Sequence, residues 1–482
     1  MNKNKMLKVF MILISILLCI PSIVYLINNK TVSEFDGYYT FFLHKSGLYR
    51  TSIISGTIVV GALLIFSVIY FLIIKKEKEI FKNKKHIYLF IIVIAFIFMM
   101  ILPYLSSDVF YYMGDGWISS KYHQNPYYTT VKDLQDSGIN DEILTNTGHW
   151  KHTTSIYGPV WNAISILLVS FSFGSVTIAL FIYKIAALIV HIINCYLIGK
   201  ITKSNKYILL YGLNPLILFE LLSNVHNDSY LILFLLLALY FLVKKKNIVL
   251  TVLFLILSIT IKYSTVLIVP FMLLYYFRKN SIPKRILCCV AVGSIIILSI
   301  ILLYMPFYRD ISIFKNMLVQ DGKYTQSFMA LLMMKTQNSN MFKVINILKI
   351  PLLGVMYIFM IIKTLLKDKF DFKYVMRKHN IAMLFFIFIC LTTFQKWYVL
   401  WLIPTIIWQR KNMRNFILYL TSVAMIPSFN YFYIENDAFR YGIYYSTIMV
   451  VLAFLILVTE IIINRGGLNV KACFNRWKQY NE

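Results

Sequence analysis

Long apolar runs recur from one end of this 482-residue chain to the other, with short polar stretches between them. Runs of about 15 to 24 residues are close to the length that an α-helix needs to cross a bilayer core of about 30 Å. Hydrophobic residues make up 59% of the chain and charged residues 14%, whereas a soluble domain carries about 25% charge. The sequence therefore predicts an all-α integral membrane protein, with one polytopic membrane domain over residues 1–482.

Basic residues dominate the charge, with 48 Lys and Arg against 20 Asp and Glu and a formal net charge of +28. A nucleic-acid-binding domain concentrates such residues on one soluble face, but here they form short clusters between apolar runs. That pattern is typical of the positive-inside rule. The topology that follows from it places roughly two thirds of the Lys and Arg residues of this chain in inner segments. We therefore exclude a nucleic-acid partner and expect a cell-membrane protein with both termini in the cytoplasm.

The same alternation predicts about 12–14 transmembrane helices. Residues 229–243 and 398–409 are short for full crossings, so one pair could be re-entrant, and residues 160–172 are expected to enter the membrane without crossing it. The N-terminus resembles a signal peptide, but no small-residue cleavage site follows and Leu18 before Cys19 does not suit a lipobox, which predicts an uncleaved first helix. The six cysteines contain no Cys-x-x-Cys pair and suggest neither a disulfide framework nor a zinc site.

Residues 106–160 and 306–342 are the two large loops that this topology places outside, and the distinctive polar motifs gather on the same face. Ionisable groups near a bilayer are costly, so their convergence on one face favours a functional site. The motifs are Asp108 to Trp117 with Asp115, Asn125-Pro126-Tyr127, Ser155 to Pro159 with Tyr157, Asn214-Pro215 with Glu220, Asn224 to Asp228, Lys262, Gln395 to Tyr398, and Glu435 to Arg440.

Each motif also has a structural interpretation. Asp108 could cap a helix, and Asp115, between two glycines, could occupy an ordinary turn. The segment His226–Asp228 could begin the next helix, where an acidic residue favours the dipole, or could handle a metal or a phosphate. Trp397 and Tyr398 also fit the aromatic belt of any membrane interface.

Lys184 and Glu220 both lie within apolar runs. Lys184 is about nine residues, or roughly 14 Å, from the outer end of its helix, whereas Glu220 is close to that end. We therefore do not expect a direct ion pair between them.

Taken together, these segments resemble the polyprenyl-phosphate-sugar-dependent glycosyltransferases of the GT-C superfamily. The closest resemblance is to the bacterial α-mannosyltransferases that use polyprenyl-phosphate mannose, and the matching motifs follow the same order over about residues 106–401. The residues that carry the resemblance are Asp108 to Trp117, Asn125-Pro126-Tyr127, Tyr157-Gly158-Pro159, Asn214-Pro215-Leu216, Glu220, His226-Asn227-Asp228, Ile261-Lys262-Tyr263 and Trp397-Tyr398-Val399-Leu400-Trp401.

The chain departs from the family pattern at three positions. Tyr111 and Trp117 stand where that pattern has arginines, and Gly114 stands where it has tryptophan. Arginines would be natural phosphate contacts, so other cations have to serve. The candidates are Lys121, Lys151, Lys262, Lys396 and Arg440.

The resemblance implies a GT-C-like helical bundle and one-step inverting transfer of a hexose from a polyprenyl-phosphate-sugar donor to an envelope glycan or glycolipid on the outer face. Such a reaction needs a carboxylate to accept the acceptor proton and cations for the departing phosphate. We assign Asp108 as the base, with Asp115 and Asp228 as further catalytic candidates. The substrate-binding candidates are Lys262, His226, Asn227, Glu220, Tyr157, Lys396, Trp397, Tyr398 and Arg440.

Two other classes of protein fit parts of the pattern. A lipid-linked saccharide or polysaccharide transporter would also be polytopic and basic inside, and a non-catalytic assembly protein would tolerate loss of Asp108. No certain cofactor is predicted. The sequence leaves a divalent cation open, because Asp108, Asp115, His226 and Asp228 could form a weak site for a hard cation.

Overall fold

The computed structural model describes residues 3–29, 49–103, 106–313, 326–336, 340–424 and 445–465. Within those ranges the chain is almost entirely helical and contains no β-strand. The α-helices of eight or more residues are α1 (Lys3–Asn29), α2 (Tyr49–Lys75), α3 (Lys84–Met100), α4 (Asp108–Ser120), α5 (Pro159–Ser170), α6 (Val176–Thr202), α7 (Asn205–Gly212), α8 (Asp228–Tyr240), α9 (Ile248–Ile259), α10 (Val269–Tyr276), α11 (Ile282–Tyr304), α12 (Phe328–Thr336), α13 (Asn340–Leu365), α14 (Phe372–Phe385), α15 (Lys411–Val423) and α16 (Tyr445–Arg465).

Segments of 3₁₀ helix and π-helix and four short α-helices connect them. The 3₁₀ segments are Gly148–His152, Tyr263–Ile268, Met305–Phe307 and Lys396–Trp408, and the π segments are Leu218–Ser223, Phe241–Lys245 and Phe386–Cys390. The short α-helices are Glu77–Ile80, Val131–Asp136, Glu142–Thr145 and Pro215–Ile217. Mid-chain π and 3₁₀ segments often mark functional or strained places.

Three helices of the described residues are long and apolar enough to cross a membrane: Val176–Thr202, Ile282–Phe307 and Asn340–Leu365. A fourth crossing arises if Asn205–Gly212 and Pro215–Ser223, which meet at 44°, form one bent span. The helical content and these spans agree with the all-α membrane fold that the sequence predicts. The total of about 12–14 crossings, the GT-C arrangement and the sidedness of the termini stay predictions.

Two segments that are short in the sequence for a full membrane crossing, 229–243 and 398–409, belong to longer helical structures. The segment 396–408 is a 3₁₀ helix of 13 residues, and a rise of about 2.0 Å per residue gives it a length of about 26 Å. The π segment Phe241–Lys245 continues α8 without a break. By contrast, α5 has 12 residues and reaches only about 18 Å, and its partial entry into the membrane stays a prediction.

The expected outer loop 106–160 is a packed structure rather than an open loop. Ten consecutive residues of α4, Val109 to Ile118, are buried. The hydroxyl of Ser165 on α5 donates to the carbonyl oxygen of Tyr112 at 2.7 Å, and a Cβ at Gly116 would lie 2.8 Å from the Ser165 backbone. The glycine therefore allows α4 and α5 to pack almost backbone to backbone.

The two predicted outer loops touch each other where both are described. The Asn125 side-chain amide donates to the carbonyl oxygen of Phe307 at 2.7 Å, and the Tyr128 hydroxyl donates to that of Asp310 at 3.0 Å. Residues 314–325 and 337–339 of the second loop lie outside the described residues. A contribution of that loop to the active site therefore stays a prediction.

Candidate active site

Asp108 is the first residue of α4. Ser107 is its N-cap and makes no side-chain capping bond, so Asp108 is not the cap that the sequence allowed. An acidic residue in the first turn is stabilised by the positive end of the helix dipole. The Asp108 side chain keeps 13% of its surface exposed, and one carboxylate oxygen lies 3.4 Å from Nδ1 of His226.

His226 follows a tight turn between the π segment Leu218–Ser223 and α8. Val225 in this turn has φ of 58°, a left-handed conformation that is strained for a β-branched residue and is found mainly where function requires it. Nε2 of His226 lies 3.2 Å from a Glu220 carboxylate oxygen, and both side chains are fully buried. The imidazole therefore stands between two carboxylates, those of Asp108 and Glu220.

Glu220 is balanced on its other side by Lys396, whose ammonium lies 3.0 Å from the second carboxylate oxygen. The side-chain amide of Asn224 donates to Glu220 at 2.9 Å. A buried charge is tolerated only when it is paired and hydrogen-bonded. Lys396, Glu220, His226 and Asp108 thus form a continuous polar chain that leads from the interior to the partly exposed Asp108.

Asp228 is at the start of α8, as the sequence allowed, and its carboxylate binds two other segments. Lys262 donates to one oxygen at 2.6 Å, and the Trp401 indole donates to the other, also at 2.6 Å. Asp228 is fully buried, whereas 16% of the Lys262 side chain is exposed. Lys262 is therefore an ammonium paired with a buried carboxylate.

The 3₁₀ geometry of Lys396–Trp408 explains the spacing of its aromatic residues. Side chains three apart eclipse in such a helix, which places the Tyr398 and Trp401 rings in a stack with centroids 4.5 Å apart. Trp397 lies on another side of the helix and stacks on His226 at 3.8 Å. The Trp-Tyr-x-x-Trp motif thus holds the histidine with one ring and Asp228 with another.

Lys262 is positioned by a close backbone contact. Its turn, residues 260–262, packs on Gly158, where a Cβ would come within 2.0 Å of the Thr260 carbonyl oxygen. The Gly158 amide also donates to the carbonyl oxygen of Ile261 at 3.4 Å. No other residue has so little volume, so the Tyr157-Gly158-Pro159 motif acts at this site through its glycine.

Tyr157 itself is packed in an aromatic cluster. Its ring meets that of Tyr112 edge-on at 5.0 Å, and its carbonyl oxygen accepts from the Tyr127 hydroxyl at 2.7 Å. The residue is 7% exposed. Its assigned contact with substrate stays a prediction.

Asp115 lies away from the ion pairs, two turns further along α4. It is 2% exposed and sits inside a helix, so its interpretation as a turn residue is wrong. Burial raises the pKa of its carboxyl well above the ordinary value, and a hydrogen bond with Ser155 offsets this only in part. These surroundings suit a neutral packing residue better than a base.

For Asp108 and His226, the neighbouring charges and desolvation shift the pKa in opposite directions. Desolvation alone would raise the pKa of the Asp108 carboxyl, but the contact with His226 and the charges of His226 and Lys262 hold that pKa below its ordinary value. Desolvation would likewise lower the pKa of His226, yet the two flanking carboxylates raise it above its ordinary value. Each group therefore stabilises the charged form of the other.

The remaining candidates differ in position. Asn227 is buried, and neither polar atom of its side chain has a partner among the described residues. Lys121 binds Asp141 at 3.3 Å on a different part of the loop. Lys151 is a half-buried residue of the Gly148–His152 segment. Arg440 lies outside the described residues.

The sequence predicts no direct ion pair between Lys184 and Glu220, and the structure agrees. The Lys184 ammonium donates instead to the carbonyl oxygens of Ile101 at 2.7 Å, Leu222 at 3.3 Å and Ser223 at 2.8 Å. It thereby fastens the end of α3 to the end of the π segment that leads to His226.

A cation site does not form from the side chains that the sequence offered for one. Over the described ranges, no group of three or more His, Cys, Asp or Glu side chains is arranged to hold a metal ion. The carboxylates of Glu220 and Asp228 face lysines instead.

The sequence analysis gave no individual role to Trp401, Asn224 or Gly158. Trp401 and Gly158 belong to the motifs that carry the family resemblance, but their partners lie 173 residues away for Trp401 and about 100 residues away for Gly158. Such distant pairings have no local signal, because hydrophobic periodicity reports only the neighbours within one helix or strand.

Comparison with known proteins identifies the family. The family model described as "Alpha-(1->6)-mannopyranosyltransferase, N-terminal domain" matches residues 17–278, which include Asp108, Glu220, His226, Asp228 and Lys262. No curated protein and no solved structure gives a significant match. Because the match extends over more than half of the chain, this protein belongs to the alpha-(1->6)-mannopyranosyltransferase family.

Proposed function

We propose that this protein is a membrane mannosyltransferase that moves a hexose from a polyprenyl-phosphate-linked donor to an envelope glycan or glycolipid on the outer face. The observation that carries the proposal is that two partly exposed groups of opposite charge, Asp108 and Lys262, are each held by a buried partner, Asp108 by His226 and Lys262 by Asp228. Glu220, His226 and Asp228 of that framework are fully buried. Solvent thus reaches a carboxylate and an ammonium and not the groups that orient them.

Asp108 has the properties of a general base. A base must reach the acceptor hydroxyl and must be ionised at the working pH. The 13% exposure of its side chain supplies the first property, and its lowered pKa supplies the second. Asp108 accepts the hydroxyl proton as the acceptor oxygen bonds to the sugar C1, while the bond from C1 to the phosphate oxygen breaks and polyprenyl phosphate leaves with inversion.

Lys262 is the cation best placed for the leaving phosphate. Its ammonium has donors beyond the one that Asp228 accepts, because a lysine carries three. Lys396 is bound to Glu220 and 4% exposed, so its contribution is the field that keeps Glu220 charged. Arg440 is kept as a further phosphate contact on the ground of the sequence alone.

The transporter alternative is less well supported. Its sequence signature would be ionisable groups at mid-membrane, but Lys184, which lies well inside an apolar helix, donates to three backbone carbonyls. Family membership also favours transfer chemistry over transport.

Replacement of Asp108 by asparagine tests the proposal. Asp108→Asn keeps the shape of the side chain and removes its basicity, so transfer of mannose from polyprenyl-phosphate mannose should fall about 10²–10⁴-fold, with donor binding retained. Asp136→Asn is the matched control, since Asp136 is an exposed acid of the same loop, and it should transfer normally.

The result also distinguishes the other carboxylates. Near-normal transfer by Asp108→Asn would remove Asp108 as the base, and an inactive Asp115→Asn or Asp228→Asn variant would move the role there. Should all three variants transfer sugar at the wild-type rate, the glycosyltransferase proposal would fail.

A further inference from the structure

A second polar site lies at the opposite end of the 3₁₀ helix from the ion pairs. Lys396, which binds Glu220, begins this helix, and Gln409 follows its last residue. Thirteen residues at about 2.0 Å each separate the two ends by about 26 Å, close to the thickness of a bilayer core. Beside Gln409 is a cavity of about 380 Å³.

The wall of this cavity carries three cations and no acid. One side is a single face of α14, where lining residues recur at helical spacing. The other side is the junction between the 3₁₀ helix and α15. The lining residues are Tyr374, Arg377, Lys378, Ile381, Gln409, Arg410 and Met413.

No described acidic residue pairs with these cations. In the part of the chain that the structure describes, none of the ion pairs involves Arg377, Lys378 or Arg410. Arg377 and Lys378 are half-buried, so water screens their mutual repulsion less well than at an open surface. A group of like charges in this position calls for an anion.

The start of α15 gives a second, independent indication. Its N-cap, Arg410, provides no capping bond, and its first turn contains no acidic residue. Of the cations in that turn, Lys411 lies 4.0 Å from Glu460 and Arg414 donates to the Tyr207 hydroxyl at 3.0 Å. The N-terminus of a helix carries partial positive charge and free amide groups, so cations there are unfavourable. An anion at this end would satisfy both the free amides and Arg410.

The surroundings suit a lipid. Ile381 of the wall is 40% exposed. Outside the wall, next to Gln409 in the chain, Trp408 meets the ring of Phe372 edge-on at 4.7 Å and is an aromatic residue of the kind found at membrane interfaces. Basic pockets between helices at the inner side of a membrane bind the head groups of anionic lipids.

We infer that this cavity, bounded by Arg377, Lys378 and Arg410, binds the phosphate head group of an anionic phospholipid at the end of the protein opposite to the active site. The arginines present planar donors to the phosphate oxygens, and Tyr374, Ile381 and Met413 pack against the glycerol backbone. The inference does not depend on the proposed transfer reaction.

The test uses the full-length protein and measures, by native mass spectrometry, the lipid that it retains from mixed vesicles of phosphatidylglycerol and phosphatidylcholine. The wild type should retain phosphatidylglycerol at least about tenfold over its share of the mixture, a ratio equivalent to about 1.4 kcal/mol. The combined Arg377→Gln, Lys378→Gln and Arg410→Gln variant should lose this preference.

The matched control removes three charges elsewhere. Lys244, Lys245 and Lys246 form an exposed cluster outside the cavity, and the Lys244→Gln, Lys245→Gln, Lys246→Gln variant should keep the preference. Equal retention by the cavity variant and the wild type would overturn the inference, as would a wild type without preference.

Two further arms keep the test decisive. Inorganic phosphate should not displace the lipid, and full displacement would show a site for free phosphate and overturn the lipid assignment. If the triple variant does not fold, Arg410→Gln alone changes one exposed side chain and should weaken retention several-fold, while unchanged retention would contradict the inference.

Discussion

Asp108 and Lys262 are both partly exposed, but each has a buried partner of a different kind. The charge of Asp108 depends on a buried imidazole, whereas Lys262 is oriented by a buried carboxylate that an indole also holds. A substrate that reaches Asp108 thus meets a group already ionised, and one that reaches Lys262 meets a group already oriented. Such preorganisation is what stabilises developing charge in a transition state.

Lys262→Met should raise the KM for the polyprenyl-phosphate donor or lower kcat by at least about tenfold, because loss of one charge-assisted contact to phosphate costs about 1.5–3 kcal/mol. Transfer kinetics and the amount of folded protein in membranes are the measurements. Lys132→Met removes a lysine of the expected outer loop that is paired with Asp136 and should leave the kinetics unchanged. Equal kinetics for both variants would show that Lys262 only neutralises Asp228.

The pH dependence of stability should report His226. Its pKa is raised above 6.5 in the folded protein, so its stabilising contribution is complete below 6.5 and is lost as pH rises through the folded value. The melting temperature of the wild type should therefore fall on the alkaline side of 6.5, and His226→Gln should lack that decrease.

The acid limb has the opposite sign. The pKa of Asp108 is held below 3.8, so its contribution to stability is complete above pH 3.8 and is lost as pH falls through the lower, folded value.

His152→Gln, a change at an exposed histidine, is the control for His226→Gln and should keep the wild-type dependence of melting temperature on pH. A wild-type profile in His226→Gln would contradict the role of the imidazole.

The sequence singled out most of the residues that the structure brings together here but not their partners. Asp108, Glu220, His226, Asp228, Lys262 and Lys396 were each recognisable as polar groups beside apolar runs. The pairing of Lys262 with Asp228 was not, since each charge looked isolated in its own segment. Asp115 was misread because glycines on both sides of it suggest a turn, whereas here Gly116 serves the close contact between α4 and α5.

At the scale of elements, the contact between Gly158 and the 260–262 turn determines where Lys262 stands. Gly158→Ala would place a methyl group 2.0 Å from the Thr260 carbonyl oxygen, so the turn must shift. We expect a loss of about 1–3 kcal/mol in stability and a raised KM for the donor, measured by thermal unfolding and transfer kinetics.

Gly61→Ala is the matched control for this change. Gly61 lies in α2, and a Cβ there meets nothing within 4 Å, so the substitution should be neutral or stabilise by up to about 1 kcal/mol. A donor KM in Gly158→Ala as low as in Gly61→Ala would mean that the turn does not need this contact.

Element types were harder to predict than element positions. The apolar runs located the helices, but they did not distinguish a 3₁₀ helix at Lys396–Trp408 from a short α-helix. Apolar residues in a continuous run fit either period. The difference lies in side-chain contacts such as the stack of Tyr398 on Trp401, which requires partners three apart to eclipse.

For the whole molecule, the sidedness of the membrane is the prediction that the active site depends on most. Ser137→Cys, on the expected outer loop, should react with a membrane-impermeant thiol reagent in intact cells. Ser281→Cys, on the expected inner side, should react only after lysis. Both serines are exposed. The opposite pattern would place the ion pairs in the cytoplasm and contradict the proposed outer-face reaction.

The 3₁₀ helix that joins the active site to the basic cavity also constrains how this chain can change. With three residues per turn, one inserted residue rotates everything after it by about 120° and pushes it along by about 2 Å. An insertion after Tyr398 would swing the Trp401 indole away from Asp228 and displace Gln409 and Arg410 at the far end. This segment should therefore tolerate substitutions far more readily than insertions or deletions, because its length sets the register of the side chains at both of its ends.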